Sequence, residues 1–190
     1  MLQKTQRNNG IRSDYVWMRF HHIFSLPLLA LARKCGLTEV QHYARGKASY
    51  HHFDRVKPMA IAYRYLLLVD TFIAVMVKIF PRLALGRTVI CDRFVYDTLV
   101  DLMLSTSDRN VPDYITTRLL LSLASNSKTV VMMDDQTRLR ARRENVRLDR
   151  NLASKIELYN ALSARFGLPI LSAEGSILDV HRALLKILDS

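Results

Sequence analysis

The stretch Arg87-Thr-Val-Ile-Cys-Asp-Arg-Phe94 decides the fold. A short, largely β-branched run ends abruptly in an acid, a base and an aromatic. An apolar run with charges only at its edges is the pattern of a strand in a parallel sheet covered on both faces. In open α/β sheets, ligands bind beyond the carboxyl ends of such strands. Asp92 and Arg93 are therefore expected at the rim of a binding crevice. There Asp92 can join a Mg²⁺ shell or accept a proton, and Arg93 can grip a phosphate with its planar fork. A strand-end ion pair is the plainer alternative, because charges so placed mark structural pairs as well as sites.

Outward from this strand, apolar runs alternate with helical periods. Residues 2–9 read as the end of a helix stopped by Gly10, and Asp14–Phe20 as a strand. Ile23–Lys34 reads as a helix with Pro27 near its start. Thr38–Asp54 is polar and without a clear period, as a loop would be. Pro58–Ile79 is a long apolar helix that Pro81 ends, and Val95–Leu104 and Pro112–Ala124 are further helices. Lys128–Asp134 is a third strand, again ending in acid, followed by the charged segment Arg138–Arg150. Leu152–Phe166 is amphipathic and closed by Gly167. Pro169–Ser172 is a short fourth strand, and Ile177–Leu188 a last helix. The alternation predicts an α/β fold, a mostly parallel sheet flanked by helices, in a single domain spanning 1–190.

Twenty-eight basic and 17 acidic residues give a net charge of +11, which attracts nucleotides, nucleic acid or anionic membrane without choosing among them. A hydrophobic fraction of 49% excludes a disordered chain. Cys35 and Cys91 form no CxxC pair, so a reducing, cytoplasmic setting is expected. The best membrane candidate, Met59–Phe80, is broken by Arg64, Asp70 and Lys78 and reads as a buried helix instead. Five of the six histidines fall between residues 21 and 52, without a zinc spacing, and read as polar loop residues.

Asp92-Arg-Phe94 after a buried strand resembles the Asp-Arg-aromatic motif of thymidylate kinases. Tyr63-Arg-Tyr-Leu-Leu-Leu-Val-Asp70 resembles that family's helix lining the nucleoside pocket, and the arginines at 136–151 stand where its basic lid lies. Val16-Trp-Met-Arg-Phe20 followed by Ser25-Leu-Pro-Leu-Leu resembles a prokaryotic branch of the group. Leu158-Tyr, Phe166-Gly-Leu-Pro and Ile177-Leu-Asp-Val resemble its closing helix–strand–helix. The resemblance implies a P-loop NTPase-like fold and phosphoryl transfer from ATP, with Mg²⁺, to a nucleoside monophosphate. It also raises the expectation of a homodimer.

One feature departs from the family. No G-x-x-x-x-G-K-[ST] loop, whose backbone N–H groups would cradle phosphate, occurs in these residues, and Gly46-Lys47 is followed by Ala48. The expectation is a chain truncated at its start, with residues 2–9 as the last turns of the helix after that loop, and inactive as it stands. The family's sheet has the order 2-3-1-4-5, so the strand expected to be missing is central. The remaining strands would flank a gap, associate through it, or close it by pairing Arg87–Asp92 with Lys128–Asp134.

The candidate residues follow. Asp92 and Arg93, with Arg138 and Arg142 from the lid, are expected to act on the transferring group, Asp92 also toward Mg²⁺. Arg19, Phe20, Arg64, Asp70, Phe94 and Tyr96 are expected to bind substrate. Arg64 and Asp70 are lone charges on an apolar helix, which must be paired or face a polar cleft. Six positions apart, they are not partners of each other. Trp17, Met18, Tyr63 and Phe72 read as core. For Asp134 and Asp135, capping the next segment competes with a Mg²⁺ role. The alternative function is a non-catalytic relative that binds nucleotide or nucleic acid through its basic surface, although no nucleic-acid motif is present.

Overall fold

The computed structural model describes residues 1–8, 10–18, 22–43, 46–142 and 144–189, with Arg142, Glu144 and Asn145 described by their backbone. The chain divides into two compact units, Met1–Glu39 with His51–Leu123, and Val40–Tyr50 with Ala124–Ser190.

In the first unit, α1 (Leu2–Asn8) ends at Gly10, whose φ of 77° is the left-handed cap a side chain would resist. β1 (Ser13–Trp17) pairs in parallel with β4 (Thr88–Asp92), with Ser13 opposite Thr88 and Trp17 opposite Asp92. α2 (Leu26–Lys34) follows Ser25 and carries Pro27 in its first turn, where a missing N–H costs nothing. α3 (Lys57–Lys78) packs against α5 (Val95–Thr106), burying Tyr63, Leu67 and Leu68 from one helix and Val95, Leu99 and Leu102 from the other. Each large side chain so buried contributes about 1.5–3 kcal/mol. Pro81 does not simply stop α3, because it sits in the first turn of a separate short helix, α4 (Phe80–Ala84). α6 (Ile115–Ala124) begins after a 3₁₀ turn at Val111–Asp113, later than the Pro112 start expected.

In the second unit, β5 (Val131–Met133) pairs in parallel with β6 (Ile170–Ser172). Between them lie α7 (Gln136–Arg142), α8 (Glu144–Arg147) and α9 (Leu152–Phe166), which ends on Gly167 at φ 63°. α10 (Ile177–Asp189) packs on β6. β4 and β5 thus each find a ladder partner within their own unit.

Three expectations are corrected. Thr38–Asp54 is not irregular: β2 (Thr38–Tyr43) and β3 (Gly46–His51) form a two-stranded sheet. Their two-residue connection permits only the antiparallel sense. Trp17 and Phe72 are not core, being 50% and 48% exposed, whereas Met18 and Tyr63 are buried. The ladder is also not covered on both faces, because Tyr15 is 52% exposed beside Trp17. Among the described residues, no helix is long and apolar enough to cross a membrane.

Candidate functional site at the carboxyl end of the β1–β4 ladder

β4 ends at Asp92, and the Met18 N–H donates to the Asp92 carbonyl at 3.0 Å, extending the ladder by one residue. The exposed Asp92 carboxylate accepts the Tyr15 hydroxyl at 2.7 Å. That hydrogen bond, with a little burial and the charge of Asp92 itself, raises the Tyr15 pKa, so the phenol stays a donor. Arg93 adopts φ 63°. For a residue with a Cβ this left-handed conformation costs about 1–2 kcal/mol. Its guanidinium Nη1 donates to Asp97 Oδ1 at 3.1 Å, while Asp97 Oδ2 accepts the Phe94 N–H at 3.1 Å. Asp97 therefore caps α5 and restrains Arg93 together. Asp92 and Arg93 do not pair with each other; the ion pair found at the strand end is that of Arg93 with Asp97, as the plainer reading of the sequence allows.

Phe94 packs against the cluster of Val16, Met18, Ala74, Val75 and Ile79 rather than standing in an open pocket. Tyr96 is half-buried, and that burial raises its pKa. Asp92, Arg93, Phe94 and Tyr96 thus share one turn, joined by Tyr15 and Asp97.

The other candidates take separate places. The Asp70 carboxylate is fully buried and accepts four hydrogen bonds. The donors are Ile23 N–H at 3.1 Å, Phe24 N–H at 2.8 Å, Ser25 N–H at 3.0 Å and Ser25 Oγ at 2.6 Å. Burial alone would raise its pKa, but these bonds from Ser25, Phe24 and Ile23 outweigh it and hold the pKa low. Because the Ser25 proton goes to Asp70, His22 Nδ1, 2.9 Å from Ser25 Oγ, must carry its own proton.

Arg64 lies 3.9 Å above the Tyr114 ring, with Nη1 3.9 Å from Asp108 and its buried Nε without a hydrogen-bond partner among the described residues. Arg19 and Phe20 lie outside the described residues, as does the Arg142 side chain, although Arg142 ends α7. In the second unit, Arg138 Nη2 meets Glu174 Oε1 at 3.0 Å. Asp135 caps α7 by accepting the Thr137 N–H at 2.8 Å, and the two bonds from Thr137 hold its pKa below the ordinary value.

Asp97 stands three residues after Phe94, and Ser25 directly before Leu-Pro. Both are capping signals that the residue order carries. Tyr15 had no local signal, because its partner is 77 residues away.

No protein-family model matches the chain, and no curated protein matches it.

The exposed Asp92 carboxylate, with one oxygen engaged by Tyr15, suits Mg²⁺, which takes one or two carboxylates and leaves its remaining positions to phosphate and water. When bound, the ion would supply charge neutralisation for a phosphoryl group. No G-x-x-x-x-G-K-[ST] phosphate cradle occurs in these residues.

Proposed function

We propose that the carboxyl end of the β1–β4 ladder is the acceptor site of a thymidylate-kinase-like nucleoside monophosphate kinase. The observation that carries this reading is the strained backbone of Arg93, held between an exposed carboxylate and the capped start of α5. Left-handed strain at a residue with a long side chain persists where the side chain's aim matters more than its ease. Two features of topology support the reading. β1 pairs with β4 and β5 with β6, both in parallel. These are the adjacencies that a 2-3-1-4-5 sheet keeps when its central strand is set aside.

In this reading Arg93 exchanges Asp97 for the acceptor phosphate, Asp92 carries Mg²⁺, and Tyr15 fixes the Asp92 carboxylate by donating to Oδ2. Arg138 lies on a segment of lid character in the other unit. Phosphoryl transfer asks the protein for position and charge more than for covalent chemistry. The donor loop is not among these residues, so a coupled assay with ATP, Mg²⁺ and thymidine monophosphate should read background. Turnover abolished by Asp92→Ala would overturn that expectation.

Calorimetric titration of thymidine monophosphate tests the site itself. Arg93→Ala should weaken binding by about 1.5–3 kcal/mol, the range for a charge-assisted hydrogen bond. Arg93→Lys should not restore it, because the paired geometry is lost. Equal affinity in all three proteins would refute the assignment.

A further inference from the structure

α3 has one face in the core and one face open. Tyr63, Leu67, Ala74 and Val75 lie on its buried side. Ile61, Tyr65, Val69 and Phe72 recur at spacings of four, four and three residues, which stacks them in one stripe along a helix. All four are about half exposed. A surface helix normally turns charge to water, and this one does not. Between Pro58 and Val77 its charged residues are Arg64 and Asp70, and both are withdrawn. Arg64 lies over the Tyr114 ring with its side chain 15% exposed, and Asp70 is fully buried under the N–H groups of Ile23, Phe24 and Ser25. Those bonds hold Ile23 and Phe24, each more than half exposed, at the flank of the same helix.

These six side chains expose on the order of 500 Å² of apolar surface, as much as the largest patch of a typical monomer. Burying it against an equal face removes about 1,000 Å² in all, the lower limit for a specific interface. Its relief suits a helix. Ile61, Tyr65 and Val69 form an i±4 ridge, and ridges of that class on two helices interlock at a crossing angle of about −50°. That packing uses the same ridge on both helices, as a two-fold axis requires. An axis near Val69 would set Tyr65 of each copy beside Phe72 of the other, with the small valine where the helices cross. Two chains of charge +11 repel over most of their surface, and this uncharged stripe is a place where they can meet. A bilayer is the poorer occupant, because interfacial helices border their apolar face with Lys or Arg, and the cation of this span, Arg64, is turned to Tyr114.

We infer that the open face of α3 is a homodimer interface, in which two copies of the chain cross their α3 helices about a two-fold axis near Val69. At this size the dimer is weak, with a dissociation constant on the order of micromolar. No ion pair contributes, so added salt screens the repulsion between the copies and does not loosen them. The surface uses none of Tyr15, Asp92, Arg93 or Phe94, and the inference stands whether or not the acceptor-site reading does.

Sedimentation of the full chain from about 1 to about 100 μM tests it. A monomer–dimer equilibrium is expected, holding as firmly at high salt as at low. Phe72→Glu should weaken it about 10-fold or more, since it sets a charge in the interface. Leu119→Glu, at an exposed leucine of α6, should leave it unchanged. The two-fold has its own signature. In a Cys35→Ser background, Val69→Cys should form a disulfide between copies under mild oxidation, and Leu119→Cys should not. If Phe72→Glu does not fold, Tyr65→Glu and the Val69→Cys crosslink carry the decision. A chain monomeric throughout, a dimer indifferent to Phe72→Glu, or a monomer that instead pellets with phosphatidylserine vesicles would each overturn the inference.

Discussion

Two carboxylates in the first unit face opposite demands. Asp70 is fully buried, and four donors from Ile23, Phe24 and Ser25 converge on it. Asp92 is exposed, accepts one hydroxyl, and stands beside a backbone twisted to φ 63° at Arg93. Both follow a sequence signal, a charge set against an apolar run. The segment 23–25 shows what a satisfied anion site looks like: its three N–H groups and one hydroxyl already hold the protein's own carboxylate, which fixes the entry to α2. The turn 92–94 is strained and incompletely partnered. Asp70 is a charge that holds the fold; in the function proposed above, Asp92 is the charge left open for a ligand.

The sharpest break of this comparison is substitution of the two acids. Asp70→Ala strands buried donors and should cost about 3–5 kcal/mol, the range for removing one partner of a buried charged network. At about 2–4 °C per kcal/mol for a chain of this size, the melting temperature should fall by about 6–20 °C. Asp92→Ala should cost no more than about 1.5 kcal/mol, that of the Tyr15 hydrogen bond. Similar losses in both melts would erase the distinction.

Acid separates a third group. His51 stacks on Phe53 at 5.3 Å and meets Thr38 Oγ1 at 3.0 Å. Burial, then the nearby charges of His22, Arg33 and His52, lowers its pKa to about 4. His22 is lowered too, by burial, though Asp70 opposes the shift. Folded-state values below the unfolded one mean that the unfolded chain takes up protons first. Stability is therefore full above about pH 6.5 and falls as the pH drops toward 4, by at most about 3 kcal/mol for His51. The contribution of Asp70, whose pKa is lowered, persists through this window and is lost only below the ordinary carboxylate range. Urea midpoints measured across pH should fall less steeply between 6.5 and 4 in His51→Gln than in wild type, the remaining slope coming from His22. A His51→Gln profile with the wild-type slope would contradict the assignment.

The parts that were legible in the sequence are those fixed by local chemistry. Leu152–Phe166 carries its own period and its glycine stop, and Thr88–Asp92 its β-branched run between charges. The β2–β3 pair was not legible, because polar side chains hide its alternation. Its tyrosines meet each other at 3.1 Å, and Tyr50 reaches Asp149, 99 residues away, at 3.2 Å. Asp149 is also held by Lys155 at 2.6 Å, so the hairpin belongs to a network that no local window contains. The site shows the same division. Asp92 and Arg93 were legible at a strand end. The use of Asp70 was not, since its donors lie some 45 residues earlier in the chain, around Ser25. Trp17 reads as core by composition, and only the ladder register turns it to the open side.

The smallest effect on stability belongs to Arg93→Gly, and it bears most directly on the central claim. Glycine relieves left-handed strain of about 1–2 kcal/mol. It loses an exposed ion pair of about 0–1 kcal/mol and adds about 0.4–1 kcal/mol of unfolded-state freedom. The deciding measurement is the melting temperature of wild type and Arg93→Gly, each with and without thymidine monophosphate. The account predicts that the free variant stays within about 1–2 kcal/mol of wild type, and that the ligand raises the wild-type melting temperature but not that of the variant. A variant outside that range, or one that gains as much from the ligand as wild type does, would contradict it.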